Sequence, residues 1–427
     1  MTLVPVPSEV FTELARSRPA PASTAALRAG LHARRLLLLK SLLVRVEQRS
    51  TLLSPSVRQR FRKDWALLER AERADANAAR DVVDYPMTGA WLGEALAAPD
   101  GPAFEKHLAY LGGVAVAAAV RAGCRVGGTL MLPSGTLVLP GLGLLRCPSG
   151  QARLSGRAGQ ARIVDGSGGS GVVLPRPEGS GQWLPAGGGP DWSALRTLPG
   201  SAIVLDDLDP YRVPPRGIGP AAVPAVERPH SAYLLWAHRW REAHDLLSAT
   251  HPERAAEIRA VLRAVVPLAP SSRAEGATMS ATLRTAPGAV LTQLPANATE
   301  LMESLVHEVH HSKLAALHEL VPLWRPGGDA LHHVGWRPDL RPVPAVFQGA
   351  YAHVALADLW WRAWVGPTTG EAWRRRAAEQ FEEHREQVRE ALSILLESDE
   401  LTFSGREFVQ EMGKHYTSIG VAARKHG

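Results

Sequence analysis

Apolar positions recur at helical spacing through roughly the first 120 residues. They give way to short alternating runs between residues 123 and 205, and return at helical spacing from Ser231 onward. In the first segment the pattern predicts a helix near Ser8–Arg16, a Pro/Ala/Ser-rich loop over Ser17–Ala25, and a long run of helix formers over Leu27–Glu47. A helix is expected over Ser56–Arg80, where Phe61, Trp65, Leu68 and Ala71 share one stripe. Pro and Gly break the pattern over Asp84–Leu92, and Phe104–Ala122 reads as a helix buried on most sides.

In the middle segment, β-like runs at Gly128–Leu132, Thr136–Leu139, Ala152–Leu154, Ala161–Val164 and Gly171–Leu174 are punctuated by turn residues. They predict a small antiparallel β-rich region. The glycine run Gly166–Gly171 lacks the lysine of a phosphate loop and reads as a turn. Asp206, Asp207 and Asp209 read as a solvated or capping acidic turn, and Pro214–Pro229 as a connector.

From Ser231 the pattern predicts helices over Tyr233–Leu247 and Pro252–Val265, with Trp236 and Trp240 as core residues. Candidate strands Ser280–Thr285 and Ala289–Leu294 flank an Ala-Pro-Gly turn. A helix through Leu301–Leu320 is capped by Asn297 or Thr299. A loop over Arg325–Arg341, a helix over Ala345–Trp364 and a charged helix or helix pair over Pro367–Arg406 follow. Beyond it, Glu407–Gly427 is polar and weakly patterned. The expected fold is α+β and mainly helical. It comprises a helical region at residues 1–122, a Gly/Pro-rich β-containing region at 123–229, and a helical metal-binding domain at 230–427 built on a zincin-like strand and helix.

Composition narrows the partners. No apolar run approaches the roughly 18–20 residues of a spanning helix, and the N-terminus has no signal-peptide pattern. Cys124 and Cys147 make neither a disulfide framework nor a CxxC site, which suits reduced thiols in a cytoplasmic protein. The net charge of +6 comes mainly from arginines interleaved with glutamates, as over Arg374–Glu390. That pattern fits solvated helix faces rather than a nucleic-acid stripe, and leaves room for a mild attraction to an acidic peptide.

The candidate chemistry lies in His307-Glu308-Val309-His310-His311, an HExxH match inside a helical pattern. His307 and His311 fall one turn apart on one face and can reach the same ion, while Glu308 lies about 100° further round. Two ligands are too few for a stable site. His353, 42 residues after His311 on an otherwise apolar helix, is the favoured third ligand, with Asp358, Glu319, Asp339 and His333 as competitors. Leu314 and Leu317 occupy the glycine and histidine positions of a metzincin, which excludes that class. Arg337 and Arg341, in a proline-stiffened loop, suit a carboxylate clamp or a pairing with Asp339. His310, His318, His332 and His333 read as surface or loop residues.

The segments His307–Leu317, Trp336–Pro342 and Gln348–Trp361, with weaker matches at Tyr85–Leu92 and Leu205–Arg212, resemble the HExxH-motif proteins that modify ribosomally made peptides. These are treated as 2-oxoglutarate-dependent peptide β-hydroxylases. The resemblance implies Fe(II) held by His307, His311 and His353, 2-oxoglutarate chelated to the iron and gripped through its far carboxylate by Arg337 or Arg341, and dioxygen as co-substrate. It implies hydroxylation of a Cβ in a precursor peptide, with Glu308 not required as a base. An all-histidine set departs from the usual two-histidine, one-carboxylate arrangement, which leaves open whether Glu308 or another acid is a ligand instead. A zinc peptidase of HExxH type, with Zn(II) and Glu308 as the catalytic base, uses nearly the same ligands. A peptide-binding scaffold with a structural metal needs a fourth ligand instead.

Overall fold

The periodic runs form helices and the glycine-punctuated middle forms sheets, giving a mixed α+β chain that is mostly helical. A computed structural model describes residues 6–157, 160–168, 171–175, 189–228, 230–270, 278–366 and 370–426. Residues 169 and 170 of the expected glycine turn, 229 at the end of the connector, and 367–369 at the head of the charged helix lie outside the described residues. The chain divides into two compact units, each discontinuous in sequence. One comprises residues 31–233 and 263–274, the other 1–30, 234–262 and 275–427.

In the first unit, capping chemistry divides the helices more finely than the apolar pattern does. The expected helix Ser56–Arg80 breaks at Asp75 into Pro55–Ala74 and Ala76–Val83. Asp75 Oδ1 accepts the backbone N–H groups of Asn77 and Ala78, each at 3.0 Å, and so starts the second helix. Pro86 does not end helical structure but opens the helix Pro86–Ala97, since proline at the first helical position forfeits no hydrogen bond. The run Phe104–Ala122 resolves into Pro102–Leu108 and Tyr110–Arg121. The latter helix is buried along nearly its whole length and lies against the strand Thr136–Leu139. A Cβ at Gly113 would stand 1.9 Å from Val138 O, so only glycine permits that approach.

The middle segment forms a four-stranded antiparallel sheet in the order Gly127–Met131, Gln151–Arg157, Gln160–Asp165, Gly171–Pro175. Beside it in sequence are the antiparallel strands Thr136–Leu139, Gly143–Arg146 and Trp192–Ala194. Leu130, Ala152, Leu154, Ile163 and Val172 from one face of the larger sheet join the helices in a single core. The acidic turn caps its own backbone, as one half of the sequence reading expected: Asp206 Oδ1 accepts the N–H groups of Leu208 and Asp209 at 3.2 and 3.0 Å, and Asp209 Oδ1 that of Tyr211 at 2.8 Å; the other half is corrected. Asp206, Asp207 and Asp209 are buried rather than solvated. Tyr85 donates to Asp206 at 2.6 Å, Tyr110 to Asp209 at 2.5 Å, and Arg228 to Asp207 at 2.6 Å. A buried carboxylate persists because donors from distant segments replace its water.

The helix Pro21–Gln48 starts in the second unit and continues into residues assigned to the first; it begins inside the expected loop Ser17–Ala25, with Pro21 as its first residue. The helix Tyr233–Thr250 buries Trp236 and Trp240, as expected. The next helix, Pro252–Val261, stops before the predicted end at Val265, and Ala264–Pro267, in the segment 263–274 that belongs to the first unit, is a strand. Ser280–Ala281 and Ala289–Thr292 pair antiparallel around Gly288, whose φ of 88° suits glycine alone. The helix Ala298–Leu320 follows. The expected loop Arg325–Arg341 instead contains an antiparallel hairpin, Leu331–Val334 with Arg337–Pro342. It leads into Val343–Val365, which packs along the charged helix Glu371–Glu397. Phe403–His426 is helical as well, including residues expected to lack pattern. Among the described residues no helix is long and apolar enough to cross a membrane.

Candidate metal centre

Asn297 starts the motif helix Ala298–Leu320. Its Oδ1 accepts the Glu300 backbone N–H at 3.0 Å. From that start His307 and His311 fall on one face, with Nε2 atoms 2.8 Å apart and rings nearly perpendicular. Two cis nitrogens at about 2.0–2.1 Å from one ion lie roughly 2.9–3.4 Å from each other, so the pair stands close to ligand spacing. His311 is oriented from the following helix. Its Nδ1–H donates to Gln348 Oε1 at 3.1 Å, which leaves the Nε2 lone pair for an ion. Burial, and then the neighbouring imidazoles of His311, His353 and His384, hold the His307 pKa well below the usual histidine value. His307 is therefore neutral, the form a metal requires.

His353 faces the same region from Val343–Val365 and is buried. Its ring centre lies 5.5 Å from that of His307. Trp336, on the hairpin turn, stacks on it with ring centres 4.7 Å apart. Its Nδ1 stands 3.0 Å from Nδ1 of His384, which comes from the charged helix Glu371–Glu397. Burial, then His384 and His311, push the His353 pKa down as well.

Glu308 is 2% exposed, and both its oxygens are engaged. Oε1 accepts from Ser280 Oγ at 2.7 Å and Oε2 from Thr282 Oγ1 at 2.8 Å. Among the described residues, the possible ligand atoms lying within 4.8 Å of one another belong to His307, Glu308 and His311. His353 stands outside that set. The histidine pair and the nearby third imidazole fit a divalent ion of the transition series by ligand type and charge state.

Arg337 and Arg341 sit on the second strand of the hairpin. Asp339 lies between them, accepting from Arg337 Nε at 2.8 Å and from an Arg341 terminal nitrogen at 2.9 Å. Both arginines line a cavity of about 340 Å³ whose wall also includes His307, His311, Trp324, Trp336 and Gln348. Pairing with Asp339 and a place in the cavity wall thus occur together.

The other ligand competitors face elsewhere. Asp358 lies 3.3 Å from His251 Nε2, Glu319 is held by Arg284 Nε at 2.7 Å, and His333 is exposed on the hairpin. His310, expected at the surface, is fully buried. Its Nδ1–H donates to Val306 O at 2.7 Å and its Nε2 lies 3.0 Å from Ser17 Oγ. Residues that sequence reading did not single out complete the surroundings: Ser280 and Thr282 on Glu308, Gln348 on His311, Trp336 and His384 on His353. Only His384 carried a readable signal, a histidine at an apolar position of a helical stripe. Comparison with protein-family models and with curated proteins gives no match.

Proposed function

We propose that this chain is an Fe(II)- and 2-oxoglutarate-dependent hydroxylase acting, in the cytoplasm, on a side-chain Cβ of a ribosomally made precursor peptide. The observation that carries this reading is the presence of Arg337 and Arg341 in the wall of the cavity onto which His307 and His311 open. In this reading His307, His311 and His353 hold the iron, and Ala289–Thr292 with the motif helix forms a zincin-like pair. Iron with 2-oxoglutarate and dioxygen supplies an oxidant strong enough to take hydrogen from an unactivated carbon.

The remaining work belongs to the chain's own residues. Each guanidinium keeps N–H donors free after its bond to Asp339, enough for a bidentate grip on the far carboxylate of 2-oxoglutarate. Gln348 fixes the tautomer of His311. Trp324 and Trp336 give the cavity apolar walls that keep water from the reacting atoms. Glu308 ties the motif helix to the Ser280–Ala281 edge through two hydroxyls and takes no part in proton transfer.

A zinc peptidase is the second reading, because its ligands would be largely the same. It needs Glu308 to accept a proton from bound water. Both Glu308 oxygens already accept hydroxyl hydrogens in a buried position, which weighs against that role. The test is incubation of the purified protein with a candidate precursor peptide, Fe(II), ascorbate and 2-oxoglutarate. A mass gain of one oxygen on the peptide, with peptide-dependent succinate, is the expected result. Peptide cleavage that needs only Zn(II) would overturn the proposal.

A further inference from the structure

We infer that the open edge of the four-stranded sheet in the first unit receives an extended acidic peptide segment as a fifth strand. This holds whatever reaction the metal centre serves. In the order Gly127–Met131, Gln151–Arg157, Gln160–Asp165, Gly171–Pro175, the first and last strands are the edges. The last is blunted: Gly171 O accepts the Gly189 N–H at 3.1 Å, and Pro175 has no N–H to offer. The first is bare. Just past its end, Leu132 N–H bonds to Gly150 O at 2.8 Å. Residues of an antiparallel strand face their partner alternately. Leu130 and Gly128 therefore turn their N–H and C=O groups toward Gln151–Arg157, and Gly127, Thr129 and Met131 turn theirs outward. Gln151, opposite Met131, agrees: its O accepts the Gly166 N–H from the other side at 2.8 Å. Gly127, Thr129 and Met131 are all exposed, and among the described residues no backbone group pairs with theirs on the outward side. Natural edges are guarded by charges, proline or a covering segment. The sequence Gly-Gly-Thr-Leu-Met carries no charge and no proline.

The register states what a guest strand meets. On the outer face Thr129 stands opposite Arg153, and Gly127 opposite Ser155, which in turn stands opposite Arg162. Arg153 and Arg162 are exposed there, and exposed Arg125 precedes the edge strand. The one acid in the four strands, Asp165, is buried and taken up by Ser149 Oγ at 2.6 Å. The outer face is therefore basic. Neighbouring strands lie about 4.8 Å apart, so a guest would run about 10 Å from Gln151–Arg157. Only Gly127 and Thr129 intervene, which leaves Arg153 and a guest glutamate within their combined reach. On the inner face the guest would run beside Leu130, 8% exposed, and Gly128, where a Cβ would meet nothing within 4 Å. That space suits an apolar side chain. The segment that fits alternates acidic and apolar residues, and its main chain supplies the hydrogen bonds. A nucleic acid would satisfy the arginines but has no main chain to pair with the edge.

The experiment uses the full chain and a rhodamine-labelled heptapeptide of alternating Glu and Val, with a Lys–Val counterpart, read by fluorescence anisotropy and by residue-level hydrogen exchange. The Glu–Val peptide should bind about 10-fold more tightly than the Lys–Val peptide, and less tightly as salt rises. It should slow exchange of the Thr129 and Met131 amides and leave that of Leu130, already bonded within the sheet, unchanged. Thr129→Pro removes an N–H that the sheet does not use, so the variant should keep a cooperative melt and lose about 10-fold in affinity. Arg153→Glu should keep the edge and shift the preference toward the Lys–Val peptide. If Thr129→Pro fails to fold, the wild-type exchange pattern and Arg153→Glu decide. The proposal is overturned by wild-type affinity in Thr129→Pro, by equal binding of the two peptides, by protection confined to other segments, or by no binding at about 1 mM peptide. Two further results overturn it: a dimer in sedimentation whose Thr129 and Met131 amides are already protected, which would make a second copy the guest, and oligo(dT) binding that displaces the peptide and survives Thr129→Pro, which would assign the face to nucleic acid.

Discussion

Gln348 reaches from one helix to His311 on another and takes its Nδ1–H at 3.1 Å. The amide thereby dictates which nitrogen of the ring carries a lone pair. Replacing it with alanine leaves the ring free to rotate and to change tautomer. Gln348→Ala is expected to weaken metal binding by about 10- to 100-fold, with little change in melting temperature. Equilibrium dialysis against a buffered metal ion, alongside a thermal melt, checks both parts. Affinity within a factor of two of wild type would remove Gln348 from the site.

Trp336 is placed by what is missing at residue 349. A Cβ on Gly349 would come within 2.3 Å of the Trp336 ring, and the indole is too rigid to give way cheaply. Gly349→Ala should therefore push Trp336 off His353 and open the cavity wall, although alanine favours the helix by about 1 kcal/mol. Weaker metal retention at near-wild-type global stability is the expected combination. Trp336 emission quenched by bound Co(II) in wild type, and less so in the variant, would report the displacement directly. Identical quenching in the two proteins would count against it.

These two placements illustrate what the sequence disclosed. The motif helix, its Asn297 cap and His353 were legible because helical periodicity and capping are local. The hairpin Leu331–Pro342 was not, because most of its residues are exposed and Pro338 and Pro342 read as loop. Nor was the burial of Asp206 and Asp209, which depends on hydroxyls from Tyr85 and Tyr110 about a hundred residues earlier in the chain. His384 was readable only as a histidine at an apolar position of a stripe, on a helix otherwise rich in glutamate and arginine. Asp75 was readable in principle as an N-cap inside a helical run.

Beneath the motif helix, Glu257 bridges two cations. Lys313 Nζ lies 2.5 Å from one oxygen and Arg254 bonds to the other, and all three residues are buried. Glu257→Gln leaves two buried positive charges facing a neutral amide. A loss of about 3–5 kcal/mol in urea-induced unfolding is expected. The double variant Glu257→Met with Lys313→Met should lose less than Glu257→Met alone, since it removes one of the stranded charges. Strict additivity of the two changes would mean that the pair is not coupled in the folded protein.

The helix Pro55–Ala74 carries a different kind of buried acid. Asp64 is 3% exposed among Val57, Phe61 and Leu68, and its Oδ2 has no hydrogen-bond partner. Burial pushes its carboxyl up to about 7, against which Arg60 and Lys63 act only weakly. The unfolded value is about 3.9, so the folded protein binds the proton more tightly between these two pH values. Stability should then fall as pH rises from about 4 to 7, by up to about 1.4 kcal/mol per pH unit from this group, and level off above 7. Asp209, also raised by burial and then by the charge of Asp206, adds a slope of the same sign. Asp64→Asn keeps the shape of the neutral acid and removes its titration. Urea midpoints measured from pH 5 to 8.5 should decline less steeply in Asp64→Asn than in wild type, with the variant the more stable of the two at pH 8. Parallel curves would show that Asp64 stays ionised in the folded protein.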